Sequence, residues 1–249
     1  MSAKLEWLLR LGDNALVLSQ RLSEWCGKGP VLEEDLATTN TALDLLGQAR
    51  LWLSYAGELE GRGRDEDALA YRRDAHEFRN VLLVEQPNGH YGDTIARQFF
   101  FDAFHLLLLR ALAHSSDPRV ADIAAKSAKE AAYHLERSSD WVIRLGDGTP
   151  ESHARMQRSL DDLWMYTGEM FSADALDTEM AQAHVAPDLA TLREPWLAEV
   201  RKVFEAATLV VPGEAWMQQG GKQGVHTEKL GFLLAEMQHL QRSYPDARW

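Results

Sequence analysis

Apolar residues recur every three or four positions through most of the chain, and no stretch alternates apolar and polar residues with the period of a strand. The pattern predicts four long helices and several shorter ones. The first runs from about Lys4 to Cys26 and turns Leu8, Leu11, Ala15, Leu18, Leu22 and Cys26 to one side. Gly27-Lys28-Gly29-Pro30 ends it, since glycine tolerates the turn and proline cannot continue a helix. The second runs to about Glu60. Plotted at about 100° per residue, Ala42, Leu45, Leu46, Ala49, Trp52, Leu53, Ala56 and Leu59 share one face, with Gln48 at its border. Asn40, Asp44 and Glu58 fall opposite. A short charged helix near Glu66–Arg79 and an irregular apolar stretch, Val81–Val84, follow.

The third long helix, about Asp93 to His114, is apolar on both sides. One face carries Ile95, Phe99, Asp102, Leu106, Leu109 and Ala113; the other carries Phe100, Phe101, Phe104, Leu107 and Leu108. A helix apolar all round is buried all round. Either it is central or its second side, Phe100, Phe101, Phe104 and Leu108 above all, meets another subunit. Ser115-Ser116-Asp117-Pro118 reads as a capped start for the fourth helix, which reaches Leu145. Val120, Ala124, Ser127, Ala131, His134, Ser138, Val142 and Leu145 face in, and charged residues face out. Smaller helices are expected at about 151–170, 174–184, 188–208 and 227–243, with a mobile or partner-ordered loop at Gly220–Gly224. The expected class is all-α: one domain over residues 1–249, a bundle of four long core helices with smaller helices packed around them.

Composition narrows the partners. A net charge of −12 disfavours the phosphates of nucleic acid. The lone cysteine, Cys26, forms no internal disulfide and reads as a core thiol. The N-terminus enters an amphipathic helix without a signal-peptide pattern, and no run of about 18 apolar residues spans a membrane. A cytoplasmic protein is expected.

Four long helices are also the architecture of carboxylate-bridged proteins that hold two metal ions. Two helices there give one carboxylate each, and the other two give Glu-x-x-His. The matching inner positions here are Ala15, Leu45 with Gln48, Asp102, and Ala131 with His134. Only Asp102 and His134 can ligate, too few donors for two ions. An aspartate in an apolar stripe needs partners, so Asp102 and His134, with Gln48 as a third candidate, are expected to form a polar cluster. The literal matches Glu236–His239 and Asp102–His105 read as chance, because Glu236, His239 and His105 flank their apolar stripes on solvated or partner-facing surface. On the residues alone, three readings stay open. The chain is a structural protein, a metalloenzyme that holds metal through Asp102, His134 and further carboxylates, or a binding module that takes a small molecule in its interior or a phosphate at Lys222.

Several runs carry a family resemblance that extends over essentially the whole chain. They are Leu11–Asn14 with Leu16–Leu22, Leu43–Arg50, Leu83–Gly89, Asp93–Gln98, Gly220–Lys222, His226–Glu228 and Leu234–Gln238. In these the sequence resembles the C subunits of bacterial phenylacetyl-CoA epoxidase, a ring 1,2-phenylacetyl-CoA monooxygenase. The resemblance implies a ferritin-like fold and a non-catalytic, structural role beside a homologous catalytic A subunit that binds two irons. A small B subunit and a reductase carrying flavin and iron–sulfur groups complete the system, which epoxidises the aromatic ring with NADPH and O₂. The A subunit's Asp-Glu-Ala-Gly-His stands where this chain has Asp44-Leu45-Leu46-Gly47-Gln48, and its Lys-Glu-Glu-Ser-Phe-His where this chain has Lys129–His134. Ala15 falls at the A subunit's first Glu. The resemblance therefore implies that Ala15, Leu45, Gln48, Asp102, Ala131 and His134 mark a vestigial metal site, with no cofactor in this chain. Beside it, the alternatives become a di-iron carboxylate oxygenase in its own right and a module that binds the CoA ester in its interior or at Lys222.

Overall fold

The computed structural model describes residues 2–213, 215–245 and 247, and all regular structure among them is helical. The chain divides into two compact units, Met1–Pro87 with Gly220–Trp249, and Asn88–Gln219.

The first unit is built on α1 (Ala3–Ser23) and α2 (Leu32–Glu60). Ser19 Oγ donates to Ala42 O, and Gly12 lies against Leu53, so the two helices run antiparallel. Gly12 permits the close approach: a Cβ there would sit 2.6 Å from Leu53 Cδ2. α1 is buried over most of its circumference, including Arg10, Asp13, Asn14, Ser19 and Arg21. It ends at Ser23, three residues short of the expected limit. Cys26 therefore sits in the following turn and is exposed, not a core thiol. On α2 the buried face contains Leu45, Gln48, Ala49, Trp52 and Leu53, whereas Leu46 and Leu59 are exposed. The true face is turned toward Gln48 relative to the periodicity. α3 (Glu66–Tyr71), α9 (Glu228–Met237) and α10 (His239–Ser243) complete the unit. The C-terminal stripe stops before Leu240, which is exposed.

The second unit is built on α4 (Tyr91–Leu112) and α5 (Pro118–Gly146). Asp117 caps α5 by accepting from the backbone N–H groups of Arg119 and Val120, with Pro118 in the first turn. Contacts from Tyr91 to Trp141 and from Asp102 to Ser138 set α4 and α5 antiparallel. α6 (Pro150–Trp164), α7 (Ala175–Gln182) and α8 (Arg193–Ala206) follow. Aromatic side chains from this later part of the unit cover the second apolar side of α4. Phe100 packs on Trp164, Trp196 and Phe204, and Phe104 meets Phe171 edge-on. Trp196 Nε1 donates to Phe100 O at 3.0 Å, giving the indole the partner a buried ring requires. Phe100, Phe101, Phe104 and Leu108 are all buried. Of the two alternatives, a central helix or a side that meets another subunit, the structure shows burial within the chain, so these four residues are corrected as partner contacts: later aromatic residues pack on Phe100 and Phe104.

Candidate functional site

The six positions expected to mark a vestigial metal site are all buried, and they fall into two groups. Ala15, Leu45 and Gln48 belong to the first unit. The antiparallel register puts Ala15 level with residues 45–49 of α2. Asp102, Ala131 and His134 belong to the second unit, on the facing helices α4 and α5.

Asp102 anchors the second group. Gln98, one turn earlier on α4, donates from Nε2 to Oδ1 at 2.7 Å, and Ser138 on α5 donates to Oδ2 at 2.9 Å. Burial pushes the carboxyl up to about 6; nearby His134, the two hydrogen bonds and Arg137 pull the other way and do not win. His105, one turn beyond Asp102, lies with its ring 5.0 Å from that of Phe101. It is buried, not on the surface as its position in the pattern suggests. Burial, with His134 as a lesser cause, drives its pKa down to about 3, so it is neutral at physiological pH. The carboxylate oxygens of Asp102 are thus taken by Gln98 and Ser138, with His134 near enough to act on its charge. The i, i+4 step from Gln98 to Asp102 was the signal that could have found the first of these.

The donor set does not fit a pair of metal ions. Ala15, Leu45 and Ala131 offer hydrocarbon, and Gln48 offers a neutral amide, where a di-metal site needs bridging carboxylates. Among the described residues no group of three or more His, Cys, Asp or Glu is placed to hold an ion.

A second polar cluster, invisible to the spacing argument, lies in the first unit. Asp13 takes two hydrogen bonds from the Arg73 guanidinium and one from Arg79 N, while Asn14 Oδ1 accepts from Val81 N. The Glu85 carboxylate takes four donors: Asn80 Nδ2 at 2.9 Å, His226 Nδ1 at 2.8 Å, and Thr227 through N and Oγ1 at 2.7 and 2.8 Å. His226 Nε2 reaches Phe78 O at 3.0 Å. With oxygen acceptors at both nitrogens, the ring is best satisfied doubly protonated. Burial opposes that charge and Glu85 favours it, leaving the His226 pKa above its ordinary value. Many of these residues belong to the runs that carry the family resemblance, and their work is to join chain segments.

A model of the phenylacetic acid catabolic protein family matches residues 1–249. The chain belongs to this family. It is 55% identical over 243 residues to the C subunit of 1,2-phenylacetyl-CoA epoxidase from Escherichia coli (strain K12), covering 98% of each chain. Its fold class is all-α and ferritin-like, consistent with the family and with the helices expected from the sequence. No helix among the described residues is long and apolar enough to cross a membrane.

One family run needs correction. Gly220–Gly224 is not a loose loop. Residues Gly221–Gln223 form a 3₁₀ turn packed on residues 76–82, where a Cβ on Gly221 would lie 2.2 Å from Asn80 O. Lys222 is buried in this turn, so its side chain is not presented to a phosphate or CoA ester. Glu236 and His239 are exposed, as their positions beside the stripe imply.

Proposed function

We propose that this chain is a structural, non-catalytic subunit of a multicomponent oxygenase that epoxidises the ring of phenylacetyl-CoA in phenylacetate degradation. The observation that carries this reading is the donor set at the aligned positions: Ala15, Leu45, Gln48 and Ala131 stand where a catalytic homologue would present ligands, leaving Asp102 and His134. The identity to the C subunit of the Escherichia coli epoxidase supports it. In this reading the two irons belong to a homologous catalytic subunit, a small B subunit joins the assembly, and a flavin and iron–sulfur reductase delivers electrons from NADPH. The complex works in the cytoplasm, and residues 1–249 act in it as one domain.

What this chain's own residues do is fill and hold. Leu45 and Ala131 occupy volume with hydrocarbon, and Asp102 spends its hydrogen-bonding capacity on Gln98 and Ser138. The test pairs two measurements. Co-expressed with the catalytic homologue, the tagged chain should co-purify with it and carry no phenylacetyl-CoA epoxidase activity when separated. Expressed alone, it should hold far less than one iron per chain by elemental analysis. Stoichiometric iron that disappears in His134→Ala would overturn the proposal. A single calorimetric unfolding transition is expected of one domain.

A further inference from the structure

Gln98, Asp102 and His105 stand one turn apart along α4, in the interior of the second unit, and not all of their polar atoms find protein partners. Gln98 and His105 are 2% and 6% exposed, yet Gln98 Oε1 and His105 Nδ1 are buried without a hydrogen bond from the protein. Ser127 Oγ, on the inner stripe of α5, is in the same condition. Each unmet atom of this kind weakens folding by roughly 5- to 150-fold in the equilibrium constant. Native proteins therefore satisfy nearly all such atoms, from the chain or from ordered water.

Turning the amide over does not help Gln98. Its Nε2 donates to Asp102 Oδ1 at 2.7 Å, and that carboxyl, pushed up to about 6, is ionised at higher pH and only accepts. Oε1 is left in need of a donor. His105 is held with its ring 5.0 Å from that of Phe101, and being neutral it either donates or accepts at Nδ1 according to its tautomer. Ser127 Oγ can do both. A cation would give nothing to an N–H or O–H donor, and an anion would give nothing to Gln98 Oε1. What suits the whole set is a small neutral molecule that donates and accepts. The inner stripe of α5 carries small side chains at Ala124, Ser127, Ala131 and Ser138, all fully buried, so bulky hydrocarbon does not fill it.

We infer that the second unit binds ordered water here, one molecule on Gln98 Oε1 and another on His105 Nδ1. Seven residues separate the two side chains, about 10 Å along α4, too far for one molecule to serve both. Asp102 lies between them, so its neighbourhood is a hydrated polar row and not a dry core.

The test uses the full chain alone, so its outcome is independent of the function proposed above. In crystals grown well above the Asp102 pKa and solved at atomic resolution, a water peak should lie within about 3.2 Å of each of the two atoms. His105→Phe should lose the second peak and keep the first. In solution, magnetic relaxation dispersion of water should count one long-lived molecule fewer in that variant, with an unchanged circular dichroism spectrum. Xenon pressed into wild-type crystals should find no site beside these atoms, because it enters dry apolar cavities. The wild-type crystals decide even if the variant fails to fold. No water peak at either atom, a protein group found bonded to one of them, a xenon or metal peak in their place, or a second peak that survives His105→Phe would each overturn the proposal.

Discussion

Replacing Asp102 with asparagine tests whether this carboxylate is a buried burden or a working group. Its pKa rises from 3.8 to about 6 on folding. The native state therefore holds a proton that the unfolded chain has lost between roughly pH 4 and 6, and stability falls as pH rises through that window. Above it, the ionised form costs about 2 pKa units, or about 3 kcal/mol. Asparagine has the same shape and does not ionise. Its Oδ1 can accept from Gln98, and its Nδ2 can donate to Ser138 Oγ, whose hydroxyl then turns to Leu135 O, 3.3 Å away. We expect Asp102→Asn to stabilise the protein by up to about 3 kcal/mol at pH 7.5, a rise in Tm on the order of 6 °C for a chain of this size. At pH 4.5 the gain should shrink to about 1 kcal/mol. His105 works in the opposite direction. Its pKa falls to about 3, so its contribution is lost as pH drops below about 6.5. That effect is common to both proteins and cancels in their difference. Thermal unfolding of wild type and variant across pH 4 to 8 is the assay. A gain that does not vary with pH, or a loss at pH 7.5, would refute the reasoning.

Other substitutions address separate parts of the structure. The His226 pKa is raised, so the stability it contributes is complete below about pH 6.5 and lost as pH climbs through the folded value; His226→Gln should lower Tm at pH 6 and abolish that alkaline decline, which denaturant titrations at several pH values will show. Asp13→Ala leaves the buried Arg73 guanidinium without its carboxylate and should cost about 3–5 kcal/mol in urea unfolding; a loss below about 1 kcal/mol would contradict the geometry. Phe100→Ala opens a hole among Trp164, Trp196 and Phe204 and should cost about 3–5 kcal/mol with a shift in tryptophan fluorescence; an unchanged emission spectrum would mean that these rings do not pack as described.

Periodicity located every long helix because each buries a broad stripe, and it named the inward residues of α5 from Val120 to Val142 correctly. It misplaced the face of α2 for a physical reason: Leu46 and Leu59 are exposed leucines with the same residue chemistry as the core stripe, so they merge with it on a helical plot. It saw that α4 is apolar all round but not that Trp164, Phe171, Trp196 and Phe204, about 60 to 100 residues later, would cover it. Periodicity placed Cys26 in the core wrongly, because the glycines set the expected helix end too late and the last helical residue is Ser23. At the candidate site, the spacing of Asp102 and His134 was legible because both lie on inner faces. The Glu85 cluster was not, since its partners stand 141 and 142 positions away and no local pattern joins them.

That separation has a consequence for how the chain is made. The second unit is contiguous and leaves the ribosome whole, whereas the first is interrupted and lacks its closing segment until residues 220–249 have been added. At about 5–20 residues per second, Glu85 waits roughly 7–30 s for His226 and Thr227 to emerge. During that interval α1 and α2 carry their apolar faces and the open Glu85 carboxylate without the last piece of their own unit. The nascent protein is thus most exposed to chaperones and to mispairing in its earliest-made helices, and the segment that begins at Gly220 acts as the latch that ends the exposure.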